Sequence, residues 1–200
     1  MIAGVILAGG QATRMGGGDK GMRVVGGQTL MAHVLDRLRP QVGALVLNAN
    51  GDPSRFAALG LPVVADSLPD WPGPLAGVLA GMDWAASQGA NAVVSVAADT
   101  PFFPRDLVAR LQAAAGPSGL ALAGTREGGK LHRHPTFGLW PVALRDDLRA
   151  ALVGGLRKVV LWTDTHGAGT AEFPTAPFDP FFNINTPEDI DEAERLVGMA

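Results

Sequence analysis

Three charged side chains set in a run of glycines are the first residues here whose types could do chemistry. From Gly9 to Gly21, in GGQATRMGGGDKG, six of thirteen residues are glycine, and among them stand Arg14, Asp19 and Lys20. Glycine permits positive φ and lets backbone N–H groups approach an anion closely. A turn of free N–H groups ahead of a helix cradles phosphate, and arginine adds a bidentate hold on phosphate oxygens. Lysine is scarce, with Lys20, Lys130 and Lys158 the only three in 200 residues. An anionic ligand therefore explains Lys20 better than solubility does. The competing account is a flexible turn with solvated charges. No GK[ST] occurs, so this is not a Walker-type phosphate loop. A GxGxxG match at Gly16, Gly18 and Gly21 begins too far past the first apolar run for a dinucleotide fingerprint, and the second apolar run ends in Asn48 rather than an acid.

Other polar residues stand at the ends of apolar runs. GVILA at Gly4–Ala8 is followed by Gly9 and Gly10, ALVLN at Ala44–Asn48 closes on Asn48, PVVA at Pro62–Ala65 is followed by Asp66, and AVVSVA at Ala92–Ala97 is followed by Asp99. In an open parallel sheet, ligands bind beyond the carboxyl ends of the strands. A glycine loop, an amide and two carboxylates would then face one crevice. A carboxylate beside phosphates suggests Mg²⁺, because a hard cation bridges anions that otherwise repel. Asp99 has a second account of equal weight, as a helix cap or turn residue before Pro101 and Pro104; Asp66 carries the same ambiguity with weaker metal odds. His132 and His134 are two apart, which in a strand puts them on one face. With no cysteine and no acid cluster nearby, zinc fits them less well than structure does. His33 falls on a helical stripe as a half-buried structural residue, and His166 in a loop.

The elements that must position these residues alternate. The apolar runs are short, continuous and rich in valine, as strands covered on both faces are. Between them, residues 29–38, 75–87 and 104–116 read as helices, with Pro104 in the first turn of the third. A final helix starts at TPED, with Thr186 as its N-cap. Residues 120–144 read as irregular strands. The expected fold is α/β: one Rossmann-like, three-layer domain over residues 1–200, with a mainly parallel central sheet and the ligand crevice at the strand carboxyl ends. Hydrophobic residues make up 47% and charged residues 18% of the chain, which suits a packed core and not disorder. The net charge of −3 comes without a basic stripe, which argues against a nucleic-acid partner. Absence of cysteine excludes disulfides, thiolate metal sites and cysteine nucleophiles. The opening apolar run has no basic region before it, so it reads as a buried strand and not a signal peptide. No apolar run nears the ~18 residues of a membrane span. A soluble, cytoplasmic protein is expected.

In order along the chain, LAGG…RMGGGDKG, NAN, DSLPDWPGPLAG, DTPF, RHPT and FFNINTPED resemble the molybdenum cofactor guanylyltransferases, over nearly the whole length. LAGGxxxRM…DK is common to a wider group of nucleotidylyltransferases; the later motifs together carry the specific likeness. The resemblance implies transfer of GMP from GTP to the terminal phosphate of molybdenum-bearing molybdopterin, with release of pyrophosphate. It implies GTP contacts at Leu7, Ala8, Gly9, Gly10, Lys20, Asn48, Asp66 and Asp99, with Mg²⁺ on Asp99. Arg14, Lys20 and Asp99 become the catalytic set. Asn183 and Asn185 are associated with the pterin side, as are Arg133 and His134 in the RHPT turn, and more loosely Arg157. Molybdoenzymes or their chaperones would receive the product, and neither nucleic acid nor membrane is implied as a partner. Two alternatives stay open: the same chemistry with CTP on the same pterin or an NTP on a sugar phosphate, and a non-catalytic nucleotide binder that kept the fold.

Overall fold

The computed structural model describes residues 1–9, 19–68, 73–156 and 158–199. Gly10, Arg14, Arg157 and most of PDWPG lie outside the described residues. The four apolar runs are strands: β1 (Ile2–Leu7), β4 (Ala44–Asn48), β5 (Val63–Val64) and β6 (Ala92–Ala97). With β7 (Ala121–Glu127), β8 (Lys130–Pro141) and β9 (Gly169–Phe173) they form one sheet, seven strands among the described residues, in the order β5-β4-β1-β6-β8-β7-β9. Pairs β4–β5, β1–β4, β1–β6 and β7–β9 are parallel; β8 runs antiparallel to both β6 and β7. A two-strand ribbon, β2 (Val24–Val25) with β3 (Gln28–Thr29), stands apart from it.

Helices cover both faces, so the fold is a three-layer α/β domain as expected. Helices α1 (Leu30–Leu38) and α3 (Leu107–Ala114) bury Met31, Val34, Leu107 and Leu111 against one face. Helices α2 (Pro74–Ser87), α4 (Arg145–Val153) and α5 (Val159–Thr165) bury Leu75, Val78, Leu148 and Trp162 against the other. A third cluster joins α6 (Pro187–Leu196) to the ribbon through Ile184, Ala193, Leu196, Val25 and Leu30. Among the described residues no helix is long and apolar enough to cross a membrane.

Two expectations about elements change. Pro104 is not in a helical turn: α3 begins at Leu107, and the Pro104 carbonyl accepts the Leu107 N–H at 3.1 Å and Gln41 Nε2 at 3.4 Å. The residue before a proline disfavours the helical region. That residue, Phe103, is fully buried in the core, and its carbonyl accepts from Arg37 Nη1 at 3.1 Å. The first turn of α3 is capped from elsewhere, by Gln41 Oε1 on the Val108 N–H at 2.9 Å. Residues 120–144 are mostly regular. β7 and β8 form a hairpin whose Gly128-Gly129 turn has φ of 55° and 82°, the double positive φ that a tight hairpin of this hand requires.

Parallel register is what builds the crevice. Leu7 pairs with Asn48 and with Ala97, and Asn48 pairs with Val64. These four residues form one row across four strands. Gly9, Asn50, Asp66 and Asp99 each stand two residues past that row. Helix α2 keeps it flush by close approach to β1: a Cβ on Gly81 would lie 2.8 Å from Val5. Gly81→Ala should lower stability by about 1–3 kcal/mol, the usual cost of overpacking. Urea unfolding should show a lower midpoint with an unchanged slope.

Candidate active site

A cavity of about 460 Å³ opens at this row and is lined by Leu7, Gly9, Asn48, Asn50, Asp66, Asp99, Thr136 and Asn183, among others. Ala8 donates its N–H to the Asn48 carbonyl at 2.9 Å, extending the β1–β4 ladder to the cavity edge. On one wall, Asn48 Nδ2 donates to Asp66 Oδ1 at 3.0 Å and Asn50 Nδ2 to Asp66 Oδ2 at 2.7 Å. The Asp66 N–H donates back to Asn50 Oδ1 at 2.9 Å. Each carboxylate oxygen of Asp66 thus has one donor, and lone pairs remain for another. Gly77 of α2 makes room for this cluster, because a Cβ there would lie 2.2 Å from Asn48 Oδ1.

On the other wall, Lys20 Nζ donates to Asp99 Oδ2 at 3.3 Å and to Asn185 Oδ1. Lys20 and Asp99 side chains are each 18% exposed, open enough to meet a ligand. Among the described residues Asp99 caps no helix; its Oδ1 accepts from the neighbouring Thr100 Oγ1 at 3.4 Å. That removes the helix-cap account of the residue. The glycine-loop exit is anchored by Arg55, whose Nε lies 3.1 Å from Asp19 Oδ2 and whose Nη2 donates to the Asn50 carbonyl at 2.7 Å.

The third wall comes from β8. Ser95, fully buried mid-strand in β6, donates to the Thr136 carbonyl at 2.9 Å and accepts from Trp140 Nε1 at 2.8 Å. Pairing of β7 with β8 jumps from Leu122↔Gly138 to Ala123↔His134, so residues 135–137 bulge, and Thr136 there lines the cavity.

The proposed acceptor residues separate. Asn183 lines the cavity, and Asn185 holds Lys20. Arg133 and His134, adjacent in a strand, take different partners. Arg133 Nη1 donates to Asp164 Oδ1 of α5 at 2.5 Å and lowers that carboxyl below its ordinary value. His134 Nε2 shares a hydrogen bond with Thr125 Oγ1 at 2.9 Å, and its ring stacks on Phe181 at 4.4 Å. His134 lies beside a second cavity, of about 390 Å³, with Glu127, His132 and Asp179. His33 is half-buried structure, bonded at Nε2 to the Val25 carbonyl at 2.8 Å. His166 ends α5, with Nε2 at 2.8 Å from Asp147. Among the described residues no group of three or more His, Cys, Asp or Glu could hold a metal ion by itself.

Solved structures share this architecture. 4-Diphosphocytidyl-2C-methyl-D-erythritol synthase from Anaerococcus prevotii superposes with a TM-score of 0.77 at 14% identity, over 99% of this chain and 98% of that one. Molybdopterin-guanine dinucleotide biosynthesis protein A from Archaeoglobus fulgidus superposes with a TM-score of 0.70 at 23% identity, over 99% and 100%. The crevice at the parallel strand ends and these neighbours define the fold as a three-layer α/β one with a mostly parallel sheet. The sequence narrows this further. A molybdenum cofactor guanylyltransferase from Bradyrhizobium sp. (strain ORS 278) is 58% identical across 99% of this chain and 94% of its own length. One from Nitrobacter hamburgensis is 53% identical across 98% and 94%. The model of the MobA-like NTP transferase domain matches residues 4–166, and the chain belongs to that family.

Burial holds the His134 pKa below the ordinary histidine value of 6.5; Asp179 opposes this and His132 adds to it. The folded state therefore binds this proton less readily than the unfolded chain. The stability that neutral His134 contributes is whole above pH 6.5 and is lost as pH falls through the lower, folded value. His134→Gln, which can still bond Thr125, should flatten the decline in thermal midpoint between pH 7 and pH 5.

Proposed function

We propose that this enzyme transfers GMP from GTP to the terminal phosphate of molybdenum-bearing molybdopterin. An acceptor phosphate oxygen forms a bond to the α-phosphorus of GTP as the bond to the bridging oxygen breaks. Pyrophosphate leaves with the electron pair, and the guanine dinucleotide form of the cofactor results. The observation that carries this reading is the row of Gly9, Asn50, Asp66 and Asp99 at one sheet edge, with Lys20 bonded to Asp99, in a chain 58% identical to a guanylyltransferase.

The chemistry demands charge management more than proton transfer. The nucleophile is already an anion, so no strong base is needed, and none of the four histidines stands in the main cavity. What must be overcome is repulsion between two phosphate groups, and the remedy is fixed positive charge and alignment. Lys20 supplies charge at the end of the glycine loop, and Arg14 is proposed to add a second cation by its place in that loop. The Asp66 amide cluster offers acceptor lone pairs to the N–H groups of a guanine edge, which supports GTP. Asn183 is proposed for the acceptor, with His134 beyond it and Arg157 by its place in the sequence; Arg133 is already engaged with Asp164.

Nucleotidyltransferases of this family generally use a divalent metal. Asp99 suits Mg²⁺, which takes one or two carboxylates and completes its shell with substrate phosphates and water. When bound, Mg²⁺ would neutralise phosphate charge beside Asp99. The product is proposed to pass to molybdoenzymes or their chaperones in the cytoplasm.

The test is pyrophosphate release with each of the four NTPs and molybdopterin. GTP should be the donor; turnover with CTP alone would move the assignment to a cytidylyltransferase, and turnover with none would end it. Asp99→Asn should lose on the order of 10²-fold or more in rate across a Mg²⁺ titration, comparable to losing one main electrostatic contact in a transition state. Its stability should stay within about 1 kcal/mol of the parent, since the pair is partly exposed and asparagine still offers Lys20 an oxygen. Asn183→Asp should raise the KM for molybdopterin and leave that for GTP alone, because a new negative charge repels the anionic acceptor.

A further inference from the structure

The short segment leading into α6 touches both Lys20 and Asp99. The Ile184 N–H donates to the Asp99 backbone carbonyl at 2.9 Å. The Asn185 side-chain oxygen accepts from the Lys20 ammonium, the group that also donates to Asp99. Lysine is a point charge on a flexible four-carbon stem with three rotatable donors; two fixed acceptors select one position for it.

Asn185 is fixed in turn. Asp189 Oδ2 accepts the backbone N–H groups of Asn185 at 2.8 Å and Thr186 at 2.9 Å, and Thr186 Oγ1 accepts the Asp189 N–H at 3.2 Å. This is a reciprocal capping box on α6, used here to hold the residue before the cap as well. On the other side, the Ile184 side chain is fully buried with Leu30, Phe102 and Ala193. The backbone that carries the Asn185 amide is thus pinned at both ends.

We propose that Asn185 is a positioning residue for Lys20, and that the Thr186–Asp189 capping box is its mount, so that the final helix aims the lysine of the glycine loop. This rests on the nucleotidyl-transfer reading above. It differs from a direct contact between Asn185 and the acceptor in how substitutions at residue 185 behave.

Asn185→Ala removes the oxygen, and Asn185→Asp keeps one. Positioning requires Asn185→Ala to lose roughly 10- to 100-fold in kcat, the scale of a misplaced catalytic group. Each KM should move less than about threefold, because the lost contact is not with substrate. Asn185→Asp should recover most of the rate. Lys20→Ala with Asn185→Ala should be no slower than Lys20→Ala alone, since one residue acts through the other. Acceptor contact requires the opposite: Asn185→Asp worse than Asn185→Ala, the defect in the molybdopterin KM, and an additive double variant. That pattern overturns the proposal.

A second measurement needs no substrate. Acetic anhydride labelling of Lys20, followed by mass spectrometry, should be faster in Asn185→Ala than in the parent and near parental in Asn185→Asp. Equal labelling in all three overturns the proposal. If the parent transferred no GMP, the functional assignment would fail, yet the labelling would still decide whether Asn185 holds Lys20.

Discussion

The alignment of four strand ends is the constraint from which the rest of the site follows. Because β1 pairs in parallel with β4 on one side and β6 on the other, their last residues share a row, and the next turns of chain leave the sheet together. A slip of one residue would turn each following side chain to the other face. The close seats of Gly77 and Gly81 against Asn48 and Val5 hold α2 to that edge. Ser95, bonded to both Trp140 and Thr136, ties β8 to the same level. The crevice is therefore a property of the sheet, and the loops only furnish it.

Its furnishing divides by charge. The Asp66 wall is an amide–carboxylate cluster that holds its own members in place and keeps acceptor lone pairs free, suited to hydrogen-bond recognition of a flat polar edge. The Lys20–Asp99 wall pairs a cation with an anion that are both partly open to solvent, suited to groups whose charge shifts during reaction. Arg55 spans the two, bonded to the Asn50 carbonyl and to Asp19 beside Lys20. The two walls are thus mechanically joined.

Much of this was legible in the sequence. Runs such as GVILA and AVVSVA announce strands covered on both faces, and a carboxylate or glycine after each announces the crevice. What escaped was set by partners distant in the chain. Pro104 marks a helix start in most settings, but two buried phenylalanines and Arg37 hold its neighbourhood in turns. Asn50 had a local signal, lying two residues past Asn48 in NAN, yet its bond to Asp66 needs the β4–β5 register. Arg133 and His134 came together through the RHPT motif, and their different partners, Asp164 and Thr125, follow from strand alternation, which turns neighbours to opposite faces. Nothing near Asn185 advertises Lys20, 165 residues away.

That separation has a consequence for how the enzyme comes into being. Ribosomes extend a chain at about 5–20 residues per second, so the glycine-loop lysine precedes its amide partner by on the order of ten seconds. By then β1, β4, β5 and β6 have all been made, and with them the strand row and the Asp66 wall. The contact that fixes Lys20 is among the last that the emerging chain can form, and bringing its ends together carries the entropy of a very long loop. An unfinished chain would possess the strand row and the Asp66 wall before it possessed the Lys20–Asn185 contact, so that contact is reserved for molecules synthesised and folded as far as α6.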